Sequence, residues 1–221
     1  MEFSIKALSP EKAKTGCVVL GVFQEKELTA PARRVDQATK GKLRAALADL
    51  TGKAGSTLLL RLDGVAADRV LLVGLGDRKG FAEGAYRDAV RGAANALKEL
   101  GAKDAAFFLV DLKIGTRHLA WNVRHAVMGL REAFYRFDQL KSQKKSTVPS
   151  LSHVLFPITS NATLEQAKNE AVATADGTDL AKTLGNLPPN ICTPTYLAEE
   201  AKKIARQFKL GVEVLEQKDL E

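Results

Sequence analysis

The chain has 221 residues, 45% of them apolar and 27% charged, with a formal net charge of +7. This suits one large domain, or one domain and part of another, with enough apolar mass to bury a core, and it argues against disorder. No apolar run is long enough to span a bilayer, and Met1-Glu2-Phe3-Ser4-Ile5-Lys6 has neither the basic nor the apolar region of a secretory signal.

Residues 3–8 alternate between apolar and polar, which predicts a half-buried strand. Residues 17–23 (CVVLGVF) form a continuous apolar run, as expected of a strand covered on both faces. Leu43, Ala46, Leu47 and Leu50 recur at helical spacing, so a helix is expected over about 35–50, closed by Gly52 and Gly55. Thr57–Leu62 and Arg69–Leu75 read as strands joined through Asp63-Gly64, a hairpin-type turn signal. A helix over Phe81–Leu100 stops at Gly101, and Ala105–Val110 is the next buried strand. Arg117–Phe137 reads as a long helix with Leu119, Val123, Val127, Leu130 and Phe134 as its apolar stripe. After the polar stretch Lys141–Ser146 come a strand at Ser152–Pro157 and a helix at Thr163–Gly185. Thr193-Pro194 supplies a cap and a first-turn proline for a helix reaching about Phe208, and Val212–Leu215 reads as a last strand. Strands alternating with helices predict an α/β fold, a mainly parallel mixed sheet with helices on both faces. The final helix and strand read as the truncated start of a second α/β domain. The expected division is 1–160 for the N-terminal domain, 161–185 for a linking helix and 186–221 for the incomplete second domain.

Charge supports that division. Residues 1–160 carry 26 Lys and Arg against 16 Asp and Glu, whereas residues 161–221 carry 7 against 10. The basic part contains a stripe, Arg117, Arg124 and Arg131, spaced by seven on one helix, followed by Lys141, Lys144 and Lys145. Such a stripe could track nucleic-acid phosphates; a solvated helix face or a subunit interface is the plainer reading.

Other motifs carry less. Gly74-x-Gly76-x-x-x-Gly80 lies between a strand and a helix, where backbone N–H groups can cradle phosphate. Its spacing is one residue longer than the dinucleotide fingerprint, so a tight turn is expected instead. His118 and His125 are two helical turns apart, about 10 Å, too far for one metal ion, and His153 stands elsewhere. Cys17 and Cys192 have no CxxC partner and read as small core residues. No G-x-S-x-G nucleophile elbow is present.

The segment Asp179-Leu180-Ala181-Lys182-Thr183-Leu184-Gly185-Asn186-Leu187-Pro188-Pro189-Asn190-Ile191-Cys192-Thr193-Pro194, followed by Leu197-Ala198, is more specific. It resembles the start of the catalytic domain in the leucyl aminopeptidase (cytosol aminopeptidase, peptidase M17) family, whose signature there reads N-x-P-x-N-x-x-T-P-x-x-L-A. Asn186, Pro188, Asn190, Thr193 and Pro194 match it. Upstream, Arg69-Val70-Leu71-Leu72-Val73-Gly74-Leu75-Gly76 is similar to a strand and glycine turn of the family's N-terminal domain. The resemblance spans essentially the whole chain. It implies a macro-domain-like N-terminal domain and a cytoplasmic, commonly hexameric metallopeptidase that removes N-terminal residues such as leucine. It implies two divalent ions, Mn or Zn, held by a Lys, several Asp and a Glu in motifs of the type GKG-x-x-x-D-x-G and N-T-D-A-E-G-R. Neither motif occurs in these residues. No catalytic or metal-binding residue, no bound cofactor and no activity are therefore expected of this chain alone, with peptide substrates and metal belonging to the whole protein. Some bacterial members of the family also bind DNA, which keeps the arginine stripe as the alternative.

Overall fold

The computed structural model describes residues 1–141 and 151–220. They fall into two compact units, Met1–Gly177 and Thr178–Glu221. Lys144 and Lys145 of the predicted cationic stretch lie outside the described residues.

The first unit is built on six strands: β1 (Glu2–Ile5), β2 (Val18–Val22), β3 (Thr57–Leu60), β4 (Val70–Gly74), β5 (Asp104–Phe107) and β6 (His153–Phe156). Their order in the sheet is β1-β6-β5-β2-β4-β3, and every pairing is parallel except β3 with β4. The apolar runs explain the centre: every residue of β2 and of β4 is buried, as a parallel strand covered on both faces requires. Alternate side chains serve opposite layers. Val19, Leu71 and Val73 join one core cluster, and Val18, Leu20, Val22, Val70 and Leu72 join the other. The mixed α/β prediction holds, with β3 the antiparallel edge that makes the sheet mixed.

The first cluster is covered by α3 (Glu83–Leu100), α4 (Leu119–Phe134) and part of α5 (Ala162–Asn186), through residues such as Tyr86, Val90, Val127 and Leu164. The second is covered by α1 (Ala30–Ala38) and α2 (Lys42–Ala45), through Ala32, Val35 and Leu43. Helix α3 stops at the predicted glycine: Gly101 takes φ +65°, a left-handed conformation that costs least without a Cβ. The loop before β4 docks on the N-terminal segment, where Ala66 N–H donates to the Glu11 carbonyl and Asp68 N–H to the Thr15 carbonyl.

The single helix expected over about 35–50 is a correction. It is α1, then α2, then a 3-10 turn at Ala46–Asp49. The break has a local cause. Thr39 is almost fully buried, and its hydroxyl donates back to the Val35 carbonyl at 2.9 Å. Lys40 and Gly41 then adopt positive φ, which ends α1. Asp36 restarts the chain by accepting the Arg44 N–H at 2.8 Å.

The second unit contains the end of α5, then α6 (Pro194–Phe208) and the short α7 (Gln217–Leu220). Thr193 caps α6 as predicted, its hydroxyl accepting the Tyr196 N–H at 3.2 Å, with Pro194 in the first turn. The strand expected at Val212–Leu215 does not form; these residues are irregular, and Val212 and Leu215 are 46% and 56% exposed. A strand has to share its backbone N–H and C=O groups with a neighbour, and the described strands all belong to the other unit.

Candidate functional site

The glycine turn after β4 is closed to phosphate by its own hydrogen bonds. Gly74 N–H donates to the Ser56 carbonyl, Leu75 N–H to Val22 and Gly76 N–H to Gly52, at 2.8–2.9 Å. A Cβ on Gly74 would lie 2.3 Å from both the Lys53 carbonyl oxygen and Ser56 Oγ, so close approach of two backbones explains that glycine. Gly76 supplies the turn at φ +78°. The first turn of α3 carries Glu83, an anion where a phosphate site needs none.

Arg124 and Arg131 of the arginine stripe lie on α4, Arg117 lies just ahead of its N-cap, and all three are charge-compensated. Arg117 pairs with Glu83 of α3 at 2.6 Å. Arg124 pairs with Glu170 of α5, and Arg131 with Asp176 at 2.6 Å. Lys141 pairs with Asp138 at 2.5 Å. The Arg124 guanidinium, with Gln166, holds the Glu170 carboxyl below its ordinary pKa. Cations already satisfied by carboxylates have less to gain from phosphates, so nothing in this geometry favours the nucleic-acid reading.

The histidines stand apart. His118 is the N-cap of α4, His125 stacks on Trp121 with ring centroids 3.7 Å apart, and His153 Nε2 lies 2.8 Å from Ser4 Oγ across β1 and β6. Among the described residues no three His, Cys, Asp or Glu side chains converge to hold a metal ion.

In the second unit the signature loop is rigidly hydrogen-bonded. Asn186 Nδ2 donates to the Lys182 carbonyl at 2.7 Å, and the Pro188 carbonyl accepts from both Ile191 and Cys192 N–H, at 2.9 and 3.0 Å. Asn190 and Pro194 are exposed, while Pro188 and Thr193 are half-buried. These contacts fix the loop's shape; none forms a reactive constellation.

The arrangement with most chemical potential was not legible as a motif. At the carboxyl ends of β2, β4 and β5, the chain after β2 enters α1 on one face of the sheet. The chains after β4 and β5 enter α3 and α4 on the other. Loops leaving adjacent parallel strands toward opposite faces open a crevice, the usual place for a ligand in such sheets. The crevice here has a volume of about 400 Å³. Phe23 and Phe81 meet edge to face on its wall at 5.4 Å, with Leu28 and Phe108 deeper and nearly buried. Arg33 and Asp111 line it from the α1 side and the β5 side. Arg33 donates to the Leu28 carbonyl at 3.1 Å. Asp111 is exposed, and the desolvation it does undergo raises its carboxyl pKa above the ordinary value. The only sequence signal for these residues is position: each lies between the end of a buried strand and the early turns of the next helix.

The N-terminal-domain model of the cytosol aminopeptidase family matches residues 19–144. The chain belongs to that family. It is 45% identical to a probable cytosol aminopeptidase of Dechloromonas aromatica (strain RCB), a match covering all of this chain and 46% of the relative. A probable cytosol aminopeptidase of Nitrosospira multiformis is 44% identical, with all of this chain and 44% of the relative covered. The chain thus spans less than half the length of these relatives. Among solved structures, a mutant of tomato leucine aminopeptidase superposes with a TM-score of 0.79 at 26% identity, covering all of this chain and 45% of the tomato chain. The bottromycin maturation enzyme BotP in complex with Mn shares the fold, with a TM-score of 0.65 at 21% identity over 87% of this chain and 36% of BotP.

Proposed function

We propose that this chain is the N-terminal part of a metal-dependent leucyl aminopeptidase that releases N-terminal amino acids, leucine preferred, from peptides. The observation that carries the reading is the whole-chain likeness at 45% identity to a probable cytosol aminopeptidase, with the family's N-terminal-domain model over 19–144. The fold shared with tomato leucine aminopeptidase supports it, and the manganese bound by BotP supports metal dependence. In this reading residues 1–160 form the N-terminal domain, 161–185 a linking helix and 186–221 the start of the catalytic domain. The signature loop at Asn186, Pro188, Asn190, Thr193 and Pro194 is then structural. The two divalent ions, Mn or Zn, and the catalytic groups belong to the part of the family's length that this chain does not span. The role of residues 1–221 is assembly or regulation of a cytoplasmic homo-oligomer, a hexamer by family resemblance. Leu197, Phe208 and Leu210, each between 45% and 61% exposed, are surface that the continuing catalytic domain would cover.

The test is direct. The purified chain, supplied with Mn²⁺, is expected to release no p-nitroaniline from leucine p-nitroanilide. A continuation carrying the catalytic domain is expected to restore turnover, and chelation to abolish it. Turnover by the chain alone would overturn the assignment of the active site to other residues.

A further inference from the structure

We infer that the crevice at the carboxyl ends of β2, β4 and β5 binds a free α-amino acid with an apolar side chain, as a zwitterion.

Three features select that ligand. The first is size: about 400 Å³ lies within the range of small-molecule sites and is far too small for a folded partner. The second is the wall. Phe23, Phe81, Leu28 and Phe108 present an aromatic and aliphatic surface, and the two outer rings already pack edge to face, which holds it open for an apolar side chain. The third is the pair of opposite charges, Arg33 and Asp111, in a lining that also carries Arg78 and the exposed Lys113. Asp111 forms no ion pair among the described residues, and its surroundings disfavour its charge. An ammonium group beside it would give this carboxylate the counter-charge it lacks. Arg33 lines the α1 wall and uses one donor on Leu28, so its guanidinium has donors left for a carboxylate. Arg78 at the same rim is already paired with Glu27 and lies over the Phe23 ring at 5.5 Å, so it closes the wall rather than receiving the ligand. A plain anion such as phosphate would leave Asp111 facing like charge. A plain amine would leave Arg33 unused. A zwitterion satisfies both.

The site stands on the crevice, not on the aminopeptidase reading. If that reading holds as well, the ligand is the kind of molecule the reaction releases, and occupancy would report product to the N-terminal domain.

Binding is measured on the 221-residue chain by thermal shift and titration calorimetry. The probes are L-leucine, L-phenylalanine, N-acetyl-L-leucine, L-leucinamide and inorganic phosphate. The free amino acids are expected to raise Tm by about 3–6 °C at ten times their Kd. Removing either charge from the ligand, or introducing Asp111→Asn or Arg33→Gln, is expected to weaken binding about tenfold or more. Arg91→Ala, outside the crevice, is expected to leave binding unchanged. Circular dichroism checks that each variant is folded. The proposal is overturned if neither amino acid binds saturably, if phosphate or N-acetyl-L-leucine binds as tightly as leucine, or if both crevice variants bind like the parent. Failure here leaves the peptidase assay untouched, and activity of the chain alone would leave this binding untouched.

Discussion

Asn122 is 1% exposed, and its side-chain amide donates to two carbonyls, Val110 at 2.8 Å and Leu112 at 2.7 Å. The Asn122 main-chain carbonyl accepts the buried Tyr86 hydroxyl at 3.0 Å. One side chain thus ties the turn after β5 to α4. Asn122→Ala would strand two acceptors and is expected to cost about 2–4 kcal/mol in urea unfolding. Cys17 is fully buried, and burial raises its thiol pKa from 9.0 to about 12. Below pH 9 both folded and unfolded chains keep this proton, so its contribution is constant. Between pH 9 and 12 only the unfolded chain releases it, so stability falls as pH rises through that window. Burial shifts Tyr86 the same way. A thiol titration at pH 8 is expected to find one fast group, the half-buried Cys192, and two after denaturation. The sequence marked Cys17 as a core residue because it opens an apolar run. It gave no sign of Asn122, whose partners lie ten and more residues away.

At the scale of elements, α4 is joined to its neighbours by ion pairs of unequal exposure. The Arg124 side chain is 47% exposed and Arg131 only 16%. Exposed pairs contribute about 0–1 kcal/mol, so Arg124→Ala is expected to shift the unfolding free energy by less than about 1 kcal/mol. Arg131→Ala should cost more, because its partly buried neighbours lose both packing and charge. The seven-residue spacing placed Arg124 and Arg131 together on α4, where both pair with α5, but Arg117 lies ahead of the helix and pairs with α3. Their acidic partners on α3 and α5 are 34 to 46 residues distant, beyond any local pattern. The two element errors have different causes. The α1 break depends on a threonine turning inward, and Val212–Leu215 has β-strand texture without a strand to pair with.

At the scale of the molecule, almost every buried apolar residue lies in Met1–Gly177; beyond it, among the described residues, only Leu187 and Ala205 are buried. A chain shortened after Gly177 is therefore expected to fold and to melt within about 5 °C of the parent by circular dichroism. The α/β class was legible because the central strands are apolar throughout and the helices carry clear stripes and stops. The crevice was not, because its residues come from three loops that only the strand order brings together.

That strand order also fixes a timetable. The first of the six strands in sequence, β1, pairs among the described strands with β6 alone, Glu2 facing His153 and Ile5 facing Phe156. At a translation rate of about 5–20 residues per second, β1 waits roughly 8–30 s for its partner to be synthesised. During that interval Phe3 and Ile5 have no sheet to cover them, and they are what a nascent-chain chaperone would meet first. In pulse-labelled hydrogen exchange the amides of β1 should be the last of the sheet to gain protection, because the longest loop in the fold must close before they can pair.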